Sequence, residues 1–302
     1  MIPIVWIHGY PHSSAIFEPQ LEMEGYRHIC PDLRGFGKTP PPAGPMTMSD
    51  YAGDVFAVMD AEKVDRAVIA GVSMGGYIAM EMYRLAPQRF LAMILLDTRE
   101  TPDDDAGRAA RMQAIETIET QGPKTITDAM LPKMILSPEL QEKGRAILES
   151  ATPEGMIAAL HAMANRPDST ETLRGVTVPA HILVGDRDTI TPPSDSERMK
   201  TLMQDAELAP IARAAHLANY ERPQQVNHVL EAWLARKLTA RSSIVRGSDG
   251  STSIPRIRSA SESVSATRRS SSDGSGNAPS RFPSFDPSGF VTSGRCAYTG
   301  VG

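Results

Sequence analysis

Two kinds of hydrophobic pattern alternate along residues 1–236. Short, nearly continuous apolar runs bounded by turn-forming residues occur at 2–7, 26–30, 67–71, 91–96, 180–185 and 207–211. Between them lie longer stretches whose apolar positions repeat at helical spacing. A run that is apolar at almost every residue suits a strand buried on both faces, and strands separated by helices pair in parallel. The pattern therefore predicts an α/β domain with about six mostly parallel strands and helices on both faces of the sheet. Helices are expected at 15–23, 48–61, 74–86, 195–204 and 222–238, the last of them ending the fold.

The alternation lapses between Asp97 and Val176, where no strand-like run occurs and about four helical segments follow one another, among them 106–120 and 153–164. This implies a core made of residues 1–97 and 177–238, with 98–176 inserted as a helical cap over the carboxyl edge of the sheet. Met112, Met130, Met134, Met156 and Met163 punctuate the insertion. Two readings are open: flexible thioethers adapt well to line an apolar substrate site, and they equally well pack the insertion's own core. From 239 to 302 the chain is roughly a quarter serine with little apolar periodicity, a composition that cannot bury enough surface to fold alone. A disordered tail is expected there, with Arg268-Arg269 leaving open an attraction to a phosphate-bearing partner.

Composition narrows the picture further. A chain of 302 residues with 41% hydrophobic content accommodates one large core plus an appendage. The formal net charge is -5, but residues 237–302 hold nine Lys and Arg against four Asp and Glu, which leaves -10 on residues 1–236. An acidic folded part offers nucleic acid little to bind. Cys30 and Cys296 stand in unlike contexts, so neither a disulfide framework nor a thiolate metal site is indicated. The 7 histidines are too dispersed for a ligand set, and no metal or organic cofactor is expected. No basic-then-apolar leader begins the chain, and no apolar run approaches the roughly 20 residues of a membrane helix. The chain thus reads as soluble and cytoplasmic, without a membrane partner, and nothing in the pattern sets an oligomeric state.

Candidate chemistry centres on Gly71-Val72-Ser73-Met74-Gly75-Gly76, directly after one apolar run and directly before a helical pattern. A turn this sharp strains the serine backbone and requires small neighbours, and it lifts the hydroxyl clear of the sheet. A serine hydroxyl is a weak nucleophile unless a histidine takes its proton and a carboxylate orients that histidine. His216 follows the last strand and precedes the last helix, the right address for a loop returning over the strand ends. His181 falls inside a strand, His161 inside an insertion helix and His228 inside the final helix, while His8 and His12 lie near the end of the first strand, His8 reading as a turn stabiliser. For the acid, Asp188 follows the strand at 180–185 and gives the order Ser, Asp, His. Asp97, which ends the strand at 91–96, is a second candidate, and Asp186 reads as a residue that bonds the turn. Two main-chain amides are available for the oxyanion: that of Met74 at a helix amino end, and that of Tyr10 in His8-Gly9-Tyr10-Pro11, where Gly9 permits close approach.

With these motifs in place the chain resembles an α/β-hydrolase over residues 1 to about 236. The His8 to Pro11 loop, Pro31-Asp32-Leu33-Arg34-Gly35-Phe36-Gly37, the elbow at 71–76, Gly185 to Asp188 and His216-Leu217 occur in the family's order. Within that superfamily the chain is most similar to small bacterial carboxylesterases, 3-oxoadipate enol-lactonase-like hydrolases and cofactor-free haloperoxidases or perhydrolases. The resemblance implies a catalytic triad of Ser73, Asp188 and His216, an oxyanion hole at Tyr10 and Met74, and a small-molecule substrate. Ester hydrolysis is the first expectation, lactone hydrolysis or perhydrolysis the second, and a non-catalytic ligand-binding member of the fold the third. Three departures from the family pattern stand out. The chain lacks the family's opening hairpin and so exposes a sheet edge. Ala215 replaces the usual glycine before the histidine, and the Ser-rich tail has no counterpart.

Overall fold

The strands β1 (Ile2–Ile7), β2 (Tyr26–Ile29), β3 (Ala67–Val72), β4 (Phe90–Leu96), β5 (Ala180–Gly185) and β6 (Ala206–Ile211) form one sheet in the order β2-β1-β3-β4-β5-β6. Every neighbouring pair is parallel. The computed structural model that places them describes residues 1–246. β3 and β5 are buried at every residue, which is why they read as unbroken apolar runs. Alternate residues serve opposite faces. Val5, Ile7, Ile69, Met93 and Leu95 enter one apolar cluster, and Ile4, Trp6, Val68, Ala70 and Ile94 enter the other.

Register sets the functional edge. Ile7 lies beside Gly71, Val72 beside Leu96, and Leu96 beside Leu183. The segments that follow β1, β3, β4 and β5 therefore emerge together at the carboxyl edge, where open α/β sheets place their ligands. Helices α1 (Met48–Ala61) and α2 (Met74–Leu85) pack into the first cluster, and the long final helix contributes Val226, Leu230 and Trp233 to the second. Thr47 and Asp50 form a reciprocal capping box that starts α1.

Between β4 and β5 run five helices: α3 (Asp105–Gln121), α4 (Pro123–Met134), α5 (Pro138–Leu148), α6 (Pro153–Ala164) and α7 (Thr170–Arg174). Ser137 and Thr152 cap α5 and α6 with their side chains, each followed by a proline that starts the helix without wasting a donor. The stretch expected as a helix at 15–23 instead forms tighter 3-10 turns over Ser14–Glu22, with Pro19, which has no amide hydrogen, inside it. After β5 come α8 (Pro193–Leu202), the short α9 (Ala218–Glu221) and α10 (Pro223–Arg246). α10 continues past residue 238, so the expected end of the helix is corrected to Arg246. The remainder of the Ser-rich tail lies outside the described residues. β2 is an outer strand of the sheet among the described residues, with Tyr26, Arg27 and His28 half-buried. Among the described residues no helix is long and apolar enough to cross a membrane.

Candidate active site

β3 ends at Val72 and α2 begins at Met74, so Ser73 alone makes the turn. Its backbone sits at φ 54° and ψ -116°, a conformation that costs a residue with a side chain on the order of 1–3 kcal/mol. The surroundings hold it there: Ser73 N donates to Leu96 O at 2.9 Å, and Ser73 O accepts from Gly76 N at 2.9 Å and Thr98 Oγ1 at 2.8 Å. The elbow glycines are demanded by contact. A Cβ on Gly75 would stand 2.0 Å from Ile7 O, and one on Gly71 would stand 2.2 Å from Gly75 O.

The loop between β6 and α9 returns His216 over this turn. His216 Nε2 lies 2.8 Å from Ser73 Oγ, and His216 Nδ1 lies 2.8 Å from Asp188 Oδ2. All three side chains are buried. Donation of Nδ1–H to Asp188 leaves Nε2 to accept the Ser73 hydroxyl hydrogen. Asp188 is itself held, its Oδ1 accepting from Ile190 N at 2.8 Å and Thr191 N at 3.1 Å, and its Oδ2 from Thr191 Oγ1 at 2.8 Å. Burial pushes the Asp188 carboxyl up, but His216 and the hydrogen bonds from His216 and Thr191 outweigh it and hold it below the usual carboxylate range. An imidazole so placed can take a hydroxyl proton while the carboxylate stabilises the resulting imidazolium.

Asp97 occupies a different role. Its Oδ1 accepts from Gly185 N at 2.8 Å and its Oδ2 from Ala218 N at 3.1 Å, so it fastens the end of β5 to the start of α9. Burial and the neighbouring Asp188 charge push its carboxyl well above the usual range. Asp186 is exposed and accepts from Ala214 N at 3.3 Å, the turn-bonding role expected of it. His8 is a clamp, its Nδ1 donating to Gly9 O at 2.8 Å and its Nε2 accepting from Leu33 N at 2.9 Å. His181 packs against Trp233 with ring centroids 4.9 Å apart, His161 is half-buried on α6 and His228 is exposed on α10.

Two residues given no role by the sequence reading complete the site. Thr191 braces Asp188, and its signal was a hydroxyl three places after an acid at a strand end. Glu221, buried in α9, accepts from Ala215 N at 2.9 Å, Leu136 N at 2.8 Å and Ser137 N at 3.0 Å. It thereby ties the His216 loop to the turn between α4 and α5, a role without a local signature.

Gly9 allows the 8–11 loop to close on the elbow, since a Cβ there would lie 2.8 Å from Val72 O and 2.9 Å from Ser73 Cβ. That loop carries the Tyr10 amide. Met74 opens α2, where an amide has no intrahelical acceptor and the helix dipole favours negative charge. Met156, Met163, Ile115 and Ile118 of the helical insertion share one apolar cluster with Tyr10, Met74 and Tyr77. Of the other methionines, Met134 belongs to the opposite cluster, Met130 is partly buried against both, and Met112 is exposed. The insertion docks through Thr152, whose amide donates to Gly35 O at 2.8 Å, and through backbone contact between Gly35 and Gly155.

A family model described as Alpha/beta hydrolase family matches residues 4–229. The chain belongs to the alpha/beta hydrolase family. This hydrolase is 31% identical over 243 residues to the AB hydrolase superfamily protein YisY of Bacillus subtilis (strain 168), covering 76% of this chain and 90% of that relative. It is 27% identical over 217 residues to 3-oxoadipate enol-lactonase 2 of Acinetobacter baylyi, covering 70% and 79% of the two chains. A thermophilic esterase from Thermogutta terrifontis, solved with malate bound, superposes with a TM-score of 0.76 at 34% identity, over 78% of this chain and 90% of that one. The superfamily and the esterase and enol-lactonase neighbours expected from the motifs are thus the ones found.

Proposed function

We propose that this alpha/beta hydrolase cleaves carboxylic esters of short to medium acyl chain through an acyl-enzyme on Ser73. The observation that carries the reading is the unbroken contact from Ser73 through His216 to Asp188, with 2.8 Å at each link. His216 removes the hydroxyl proton as Ser73 Oγ attacks the carbonyl carbon, and the Tyr10 and Met74 amides receive the charge that develops on the oxygen. His216 then protonates the departing alcohol, and a water activated by the same nitrogen releases the acid. Residues 98–176 act as the cap over a core of 1–97 and 177–238, its Met156 and Met163 facing the acyl chain. A cytoplasmic location accords with a chain that has 2 cysteines and no indicated disulfide.

A second reading, hydrolysis of a lactone or enol-lactone by the same triad, is favoured by the similarity to 3-oxoadipate enol-lactonase 2. Perhydrolysis needs no further residue. A purely ligand-binding role would leave the strained Ser73 backbone without a purpose. Steady-state assays of aryl esters from acetate to decanoate beside a set of lactones separate the readings. The expected outcome is a kcat/KM maximum among the shorter esters. Turnover of lactones alone would overturn the ester assignment.

A further inference from the structure

Beside the proposed triad stands a histidine that the reaction as written does not use. His12 follows Tyr10 and Pro11 in the loop leaving β1, its ring is wholly enclosed, and neither Nδ1 nor Nε2 has a hydrogen-bond partner. Its place is close to the reacting groups. A Cβ added to Gly9 would lie 3.2 Å from His12 Cε1 and 2.9 Å from Ser73 Cβ, so the imidazole and the serine side chain border the same point of the 8–11 loop. The His8 ring is 5.9 Å away between centroids, and His216 is near enough for its charge to act on His12. Burial, reinforced by these two imidazoles, holds His12 well below the usual histidine range. It is therefore neutral, with one nitrogen donating and the other accepting.

Leaving two polar nitrogens unpartnered inside a protein costs about 1–3 kcal/mol apiece. His181 bears it at Nδ1 alone, and two other histidines avoid it. His8 has both nitrogens occupied, and His28 accepts from Trp6 Nε1 at 3.0 Å while its other nitrogen donates to Met23 O at 2.9 Å. His12 keeps both nitrogens unpartnered on the loop that closes on Ser73. Ser73 is itself only 8% exposed.

We propose that His12 holds the water that hydrolyses the acyl-enzyme. The proposal rests on the acyl-enzyme reading given above. When the alcohol leaves, a water takes its place beside His216 Nε2. One of its hydrogens points to His216, and the accepting nitrogen of His12 receives the other, which turns an oxygen lone pair toward the acyl carbon. The water oxygen bonds to that carbon as one proton passes to His216 Nε2. Collapse then breaks the bond between the carbon and Ser73 Oγ, Ser73 Oγ takes the proton back from His216, and the carboxylic acid departs with the second hydrogen. His12 neither gains nor loses a proton. An alcohol in the same position has one hydroxyl hydrogen and must give it to His216, so His12 favours water over alcohols as the acyl acceptor.

The test uses the full chain, 4-nitrophenyl acetate and graded methanol, and compares wild type with His12→Phe and His12→Gln. For His12→Phe, kcat and KM should fall together by about tenfold or more while kcat/KM stays within about twofold, because acylation is untouched and deacylation is slowed. The acetyl-enzyme should accumulate in intact-mass spectra, and the ratio of methyl acetate to acetic acid should rise about fivefold or more. His12→Gln, whose carbonyl can accept the same hydrogen, should keep a ratio closer to wild type. This ratio is set after acylation and does not depend on the fraction of protein that is folded. Should His12→Phe not fold, His12→Met reads the same ratio with a smaller, flexible side chain. An unchanged ratio in the apolar variants would overturn the role of His12 while leaving the acyl-enzyme in place. A wild-type enzyme that hydrolyses the ester with no acetyl adduct and no methyl acetate would overturn the acyl-enzyme and this proposal with it.

Discussion

The carboxyl edge of the sheet and the helices between β4 and β5 differ in how they use polar residues. At the edge, Asp97, Asp188, His216 and Glu221 are buried, and each is bonded to named groups on distant segments. Ser73 and Asp97 both adopt positive φ there, and the glycines of the elbow lie in direct backbone contact. Between β4 and β5 most charged pairs face solvent, such as Lys124 with Asp128 at 3.0 Å and Lys143 with Glu139 at 3.6 Å, while Arg166 and Asp103 form a buried pair at 2.8 Å. The longest helix there, α3, buries only Ile115 and Ile118. The edge spends stability to fix geometry, while the insertion keeps its helices soluble and leaves their details free.

The largest effect that sharpens this contrast is expected for Asp188→Asn. Turnover should fall by about four orders of magnitude with the melting temperature nearly unchanged, because the amide oxygen still accepts from Ile190 N. If Asp97→Asn lost as much turnover and Asp188→Asn lost little, the acid would be the wrong one. Gly75→Ala comes next. Its Cβ would collide with Ile7 O at 2.0 Å, so a loss on the order of 3 kcal/mol should appear in denaturant titration. Met163→Ala, in the insertion, should cost about 2 kcal/mol and raise kcat/KM for longer acyl chains relative to acetate. Unchanged chain-length preference would remove Met163 from the substrate's surroundings.

A pH effect follows from β5. Burial lowers His181 to about 4 from 6.5, so the folded state keeps it neutral where the unfolded chain binds a proton. The unfolded state then takes up more protons between those values, and stability falls as pH drops through 6.5, with the loss complete near 4. By pH 5 the His181 share of the loss should reach about 1–2 kcal/mol in denaturant titration, and His181→Leu should remove that share while the lowered His8, His12 and His28 keep theirs. The smallest effect is expected in the insertion's surface pairs: Lys124→Ala should change stability by no more than about 0.5 kcal/mol and leave turnover alone.

Legibility followed the same division. Ser73 was readable because a one-residue turn between a strand and a helix admits only small neighbours, a steric demand written locally at Gly71, Gly75 and Gly76. The placing of Asp188 and His216 beside Ser73 is legible from their addresses after strands. The roles of Asp97 and Glu221 are not, since their partners lie at 185, 218, 215, 136 and 137, far away in sequence. In the insertion, Ser137-Pro138 and Thr152-Pro153 mark helix starts, yet no pattern distinguishes Met156 and Met163, which join the site residues' cluster, from Met134, which does not. The extension of α10 to Arg246 also escaped, because lengthening an existing helix needs no apolar stripe of its own.

In the proposed function Ser73 acts as a nucleophile driven by His216. Intact-mass spectrometry after exposure to a fluorophosphonate, followed by peptide mapping, measures this directly. One adduct on the peptide that carries Ser73 is expected, forming at least about a hundredfold more slowly in His216→Ala. A folded wild-type protein that takes up no label, or takes it up elsewhere, would contradict the account.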